Sequence, residues 1–103
     1  MAIQFGLTEK YIELLKNIFS KYDSIEEVIV YGSRAKGNYT ERSDIDLAMK
    51  EKTSNRHLIG AVLLDLDDSD LPYKVDLQDY DKIKNKELKA HINRVGQLLY
   101  KRQ

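Results

Sequence analysis

The 103-residue sequence contains no cysteine and one proline, and its 17 lysines and arginines are balanced by 17 aspartates and glutamates. The missing cysteine excludes disulfide frameworks, thiolate zinc sites and cysteine nucleophiles. The zero net charge supplies no global field that would draw the chain to nucleic acid or to an anionic membrane. No run approaches the roughly 18 apolar residues needed to span a bilayer, and no basic region precedes an apolar one at the N-terminus. A cytoplasmic protein without membrane contact is therefore expected. Repeats and low-complexity linkers are also missing, so residues 1–103 are expected to form one domain that buries roughly 60–70% of its unfolded surface.

What is present is patterned. Residues 8–21, TEKYIELLKNIFSK, place Tyr11, Leu14, Leu15, Ile18 and Phe19 at helical spacing, with Thr8 as the N-cap. EEVIVYG predicts a strand buried on both faces and ended by glycine. SDIDLAM alternates aspartate with apolar residues, the period of a strand. Residues 54–67, SNRHLIGAVLLDLD, predict a helix, DSDLPY a turn and YKVDLQDY another alternating strand. NKELKAHINRVGQLLYKR predicts a last amphipathic helix carrying Leu88, Ile92, Val95, Leu99 and Tyr100. Gly60 and Gly96 each cost a helix about 1 kcal/mol relative to alanine, which implies close packing or a weaker helix. The order predicts a small α/β (α+β) domain with about three strands in a mixed sheet and helices mainly on one face.

Residues two apart on a strand share a face, so Asp44 and Asp46 point one way while Ile45 and Leu47 point the other. In the later strand Asp76 opposes Val75 and Leu77. If the apolar sides of both strands meet the helices, Asp44, Asp46 and Asp76 emerge together on the open face. Clustered carboxylates raise one another's pKa unless a cation sits among them. Oxygen donors without histidine or thiolate suit magnesium or manganese, and two such ions on three carboxylates serve in-line nucleotidyl transfer. The plainer alternative is a set of solvated carboxylates on an edge strand.

Gly32-Ser33 opens SRAKGN, which has the composition of a short helical turn closed by Gly37-Asn38. Glycine lets the backbone approach an anion, and N–H groups at a helix start bind phosphate oxygens. Ser33 adds a hydroxyl donor, and Arg34 and Lys36 add positive charge. A plain β-turn fits these residues as well.

The spacing G-S-x10-D-x-D joins the two halves. With YGSRAKGN, SDIDLA, LPYKVDLQDY and the terminal I-x-x-x-G-x-x-L-Y of residues 92–100, the sequence resembles the minimal nucleotidyltransferase (MNT) family. That family is a branch of the DNA polymerase β-like nucleotidyltransferases, and the resemblance covers residues 25–100. It implies that Gly32 and Ser33 hold the triphosphate of ATP or another nucleotide. It also implies that Asp44 and Asp46 bind Mg2+, as two ions with Mn2+ as the alternative. Asp76 is then the third carboxylate, helping to ligate one ion and to activate the attacking hydroxyl. Many members carry an arginine where this chain has Thr40, and Arg42 is the candidate replacement at the phosphates.

Short chains of the family pair with a helical HEPN-domain protein as toxin–antitoxin couples. The resemblance therefore implies a hetero-oligomer in which this chain is the antitoxin and moves AMP from ATP to a tyrosine hydroxyl of the toxin. The HEPN half carries Arg-x4–6-His, and neither His57 nor His91 has such an arginine upstream, so both read as helix-surface residues. Two alternatives stay open: a binding-only antitoxin, and nucleotidyl transfer to a small hydroxylated molecule such as an aminoglycoside. Direct nucleic-acid binding is not expected, because basic residues form no stripe interleaved with aromatics. DLDDSD lacks the glycine and glutamate of a calcium loop and reads as a solvated acidic turn open to a basic partner. Tyr31 reads as core, and Tyr39, Tyr73 and Tyr80 as candidates to flank the mouth of the site.

Overall fold

The computed structural model describes residues 3–53 and 57–102. A two-residue turn at Phe5-Gly6 folds β1 (Ile3–Gln4) onto β2 (Leu7–Thr8). Both turn residues have positive φ, 58° and 74°, the requirement of a tight hairpin turn. The chain then forms α1 (Glu9–Ser20), β3 (Ile25–Tyr31), the short α2 (Gly32–Lys36) and β4 (Ile45–Glu51). It ends with α3 (Leu58–Asp67), β5 (Val75–Asp79), a 3-10 turn at Tyr80–Lys82, α4 (Lys86–Val95) and β6 (Gln97–Lys101). Thr8 does sit at the N-cap of α1, but its side chain makes no capping hydrogen bond. Part of the helix expected over 54–67 falls on residues 54–56, outside the described residues.

The main sheet has four strands in the order β5-β4-β3-β6, one more than the sequence suggests. β4 runs antiparallel to β3 and parallel to β5, so the sheet is mixed as expected. The additional strand is β6, where the helical spacing of Ile92, Val95 and Leu99 predicts a continuation of α4. The helix stops at Gly96 instead, and Gln97–Lys101 pairs antiparallel with β3. Gly96 is closely packed: a Cβ there would run into the Ile92 carbonyl and lie 2.7 Å from Ile29 Cγ2. Gly60 is not, since a Cβ there would meet nothing within 4 Å.

Alternation divides each central strand between two cores. Val28 and Val30 of β3 and Ile45, Leu47 and Met49 of β4 pack with Leu15 and Phe19 of α1 and Val62 and Leu66 of α3. On the opposite face Tyr31 and Ala48 form a smaller cluster with Ile92 of α4, joined by Ile29, Tyr80, Ile83 and Leu88. Two long helices thus cover one face, and α4 covers part of the other. The remainder of that second face carries the aspartates.

Candidate active site

Three strands present one row of polar groups on the second face. Tyr31, the last residue of β3, pairs with Asp46 of β4, and Asp46 pairs with Asp76 of β5. Directly paired residues project from the same side of a sheet with Cβ atoms about 4.5–5.5 Å apart, which makes Tyr31, Asp46 and Asp76 neighbours. Asp44 lies exposed one residue ahead of β4, Asp46 is half-buried and Asp76 is exposed. Tyr31 is core, as its sequence context predicts, with only 6% of its surface exposed.

These groups act on one another through charge. Burial first, then the charges of Asp76 and Asp44, hold the Asp46 carboxyl above its ordinary pKa, and His91 and Arg34 oppose this only in part. The Tyr31 hydroxyl is pushed up to about 12, again by burial first and then by Asp76 and Asp46. His91 therefore belongs to the site and is not a plain helix-surface residue. It is half-buried, with its ring edge-on to Tyr31 at 6.2 Å between centroids. The available signal is its place beside Ile92 and three residues after Leu88, on the apolar side of α4.

The Gly-Ser turn closes over the same row. Gly32 has φ +73°, and a Cβ on it would run into Asp46 Oδ2. Only glycine lets α2 start this close to the carboxylate. Ser33 is half-buried in the first turn, and its carbonyl accepts the Gly37 N–H at 2.9 Å. Gly37, at φ +89°, ends the turn in the left-handed conformation, so SRAKGN does form the closed helical turn its composition predicts.

The cationic candidates separate into two kinds. Arg34, expected to bind phosphate, is 2% exposed, and its guanidinium is turned to the protein. Its Nε and Nη2 donate to the Ser43 carbonyl at 3.1 and 2.8 Å, and Nη1 donates to the Phe5 carbonyl at 2.8 Å. It also lies 4.7 Å from the Tyr73 ring centroid and 5.4 Å from that of Tyr39. Arg34 thus ties the N-terminal hairpin and α2 to the residue just before Asp44. Lys36 is exposed in the last turn of α2. Arg42 is exposed and lines a cleft of about 610 Å³ with Asp44, Tyr73 and Lys74. Of the three candidate tyrosines, Tyr73 reaches that cleft and Tyr39 packs on Arg34. Tyr80 lies against the α4 cluster, its hydroxyl donating to Asn93 Oδ1 at 2.7 Å.

The donor chemistry fits a hard divalent cation. Asp46 is flanked by two carboxylates whose charges it already feels, and a cation among them would remove that repulsion. Among the described residues, however, no three histidine, cysteine or acidic side chains converge as a ready-made metal-binding group. The carboxylates are neighbours on the sheet rather than a closed cage.

Comparison with known proteins places the family and the fold. Residues 13–103 match the family model described as polymerase beta, nucleotidyltransferase. No curated protein sequence matches significantly. Among solved structures, a toxin–antitoxin with AMP-PNP is similar at TM-score 0.70 and 24% identity, over 94% of this chain and 76% of that one. A mutant of the toxin–antitoxin MntA–HpeT is similar at TM-score 0.68 and 26% identity, over 94% of this chain and 75% of that one. A tri-AMPylated Shewanella oneidensis HEPN toxin in complex with MNT antitoxin gives TM-score 0.53 at 20% identity, over 89% and 74% of the two chains.

Proposed function

Since the chain belongs to the polymerase beta nucleotidyltransferase family, we propose that it is a magnesium-dependent antitoxin that transfers AMP from ATP to a tyrosine hydroxyl of a HEPN-domain partner. The observation that carries this reading is the register of Asp46 with Asp76 directly beneath a glycine turn that only glycine can make. Gly32 and Ser33 hold the triphosphate through backbone N–H groups and the hydroxyl. Lys36, at the end of α2, and Arg42, in the loop that follows, are exposed and balance phosphate charge. Arg34 acts on the site indirectly, by fixing the Ser43 carbonyl and hence Asp44. Asp44, Asp46 and Asp76 would hold the Mg2+ ions, which when bound neutralise the phosphates and lower the pKa of the attacking hydroxyl. Asp76, the more exposed member of its pair, takes the hydroxyl proton. The acceptor oxygen bonds to the α-phosphorus as the bond to the leaving pyrophosphate breaks.

The open arrangement of the three carboxylates favours a second reading, an antitoxin that only binds its partner. The intact mass of a HEPN-domain partner, after incubation with this chain, ATP and Mg2+, separates the two. One or more AMP units, gained with wild type and not with Asp46→Asn, is the expected result. No gain from a stable complex would favour the binding-only antitoxin.

A further inference from the structure

A groove of about 440 Å³ runs between the outer side of α3 and the edge strand β5. It is lined by Gly60, Leu63, Leu64, Leu71, Tyr73 and Val75. Leu64 is 61% exposed, and only Leu98 joins it as a large exposed apolar side chain among the described residues. Among the described residues a Cβ at Gly60 would meet nothing within 4 Å.

The two ends of the groove differ in chemistry. At one end Asp67 joins the lining, followed by the exposed Asp68 and Asp70. These carboxylates crowd the C-terminal end of α3, which has no basic residue in its last turn, where the helix dipole disfavours anions. At the other end Tyr73 and Lys74 also line the cleft that holds Asp44 and Arg42. The groove therefore borders the cleft that holds Asp44, while Asp46 and Asp76 lie round the edge of β5 on the face away from α3.

We propose that this groove docks the polypeptide acceptor of the transfer reaction. It takes an apolar anchor side chain, and lysines or arginines flanking that anchor meet Asp67, Asp68 and Asp70. The acceptor hydroxyl is then led past Tyr73 and Lys74 to Asp44 and round the edge strand β5 to the carboxylates on the other face. The inference rests on the proposed transfer to a protein and adds where that protein binds.

Gly60→Phe puts a ring on a groove-lining, exposed helix position whose Cβ would meet nothing within 4 Å, and Asp67→Lys reverses one charge of the rim. Each variant is tested for its thermal shift with AMP-PNP and Mg2+, its affinity for the HEPN-domain partner used above, and the mass gain of that protein. The expected result for Gly60→Phe is an unchanged nucleotide shift with at least tenfold weaker HEPN binding and proportionally slower modification. Asp67→Lys is expected to weaken binding and to flatten its decline with salt. Gly60→Phe binding and modifying the HEPN protein within twofold of wild type would overturn the groove assignment alone. Salt-insensitive binding that Asp67→Lys leaves unchanged would overturn the basic flank. Self-association of wild type that Gly60→Phe abolishes would assign the groove to a second copy instead. A HEPN protein that binds wild type but never gains mass would overturn the transfer reading, and the acceptor role with it.

Discussion

Gly32 and Gly37 bracket α2, with φ of +73° and +89°, and they allow one contact to be weighed by difference. Alanine at either position enters the left-handed region, at a cost of roughly 1–2 kcal/mol. At Gly37 that is the whole cost, because its Cβ would meet nothing within 4 Å. At Gly32 the methyl runs into Asp46 Oδ2 and lies 3.2 Å from Asp46 Cγ, so the carboxylate must move. Overpacking of this kind adds about 1–3 kcal/mol. With roughly 4–8 °C of melting temperature per kcal/mol in a domain of this size, Gly32→Ala melts at least about 4 °C below Gly37→Ala. Thermal and urea unfolding of the two variants measure the difference, and AMP-PNP titration with Mg2+ reads the site. Gly37→Ala keeps nucleotide binding, while Gly32→Ala loses it. Equal unfolding and equal AMP-PNP binding in the two variants would refute the contact between the turn and Asp46.

The remaining predictions separate groups that serve the site from groups that hold it. The Asp46 pKa is higher in the fold than in the unfolded chain, so its contribution to stability is full at low pH and lost as pH rises through the folded value. Asp46→Asn, fixed neutral, therefore melts above wild type at pH 7 without metal yet loses AMP transfer; a lower melting temperature would refute the carboxylate repulsion. Arg34→Ala leaves the Ser43 and Phe5 carbonyls without their donor, at about 1–3 kcal/mol each, and Arg34→Lys restores only part because one ammonium cannot span both. An unchanged urea midpoint with lost nucleotide affinity would mark Arg34 as a phosphate ligand after all. Gly96→Ala destabilises by roughly 1–3 kcal/mol through its clash with Ile92 and Ile29. Gly60→Ala stabilises by up to about 1 kcal/mol through helix propensity alone. Urea midpoints shifting in the same direction for both glycines would contradict the packing described.

The parts of the fold legible in the sequence are those governed by neighbours along the chain. Alternation in SDIDLAM and YKVDLQDY sets Asp46 and Asp76 on the face opposite Ile45, Leu47 and Leu77 without any knowledge of the sheet. The turn at Gly32–Gly37 is likewise local, since positive φ at both ends is glycine chemistry. β6 is different. Leu99 lies seven residues after Ile92 and four after Val95, so the helical period runs on unbroken through the point where the helix ends. What makes Gln97–Lys101 a strand is the free edge of β3, with Ile29 opposite Leu98 and Val30 opposite Gln97. Gly96 is the one local sign, and only the approach of Ile29 explains why it must be glycine.

The same division runs through the candidate site. Residues suited to touch phosphate or metal stand out by type and spacing, because the chemistry restricts them to glycine, serine and aspartate. Residues that hold those groups in place do not, because a supporting contact constrains geometry more than residue type. Arg34 has the sequence signature of a phosphate ligand, yet its guanidinium bridges the Ser43 and Phe5 carbonyls. Phe5 itself has φ 58°, an unusual conformation for a phenylalanine, in a hairpin turn whose carbonyl Arg34 holds. The position of Asp44 is thereby coupled to a two-residue turn about forty residues upstream in the chain. Loosening that turn is expected to blur the acidic row without altering any residue in it, as Arg34→Ala tests directly.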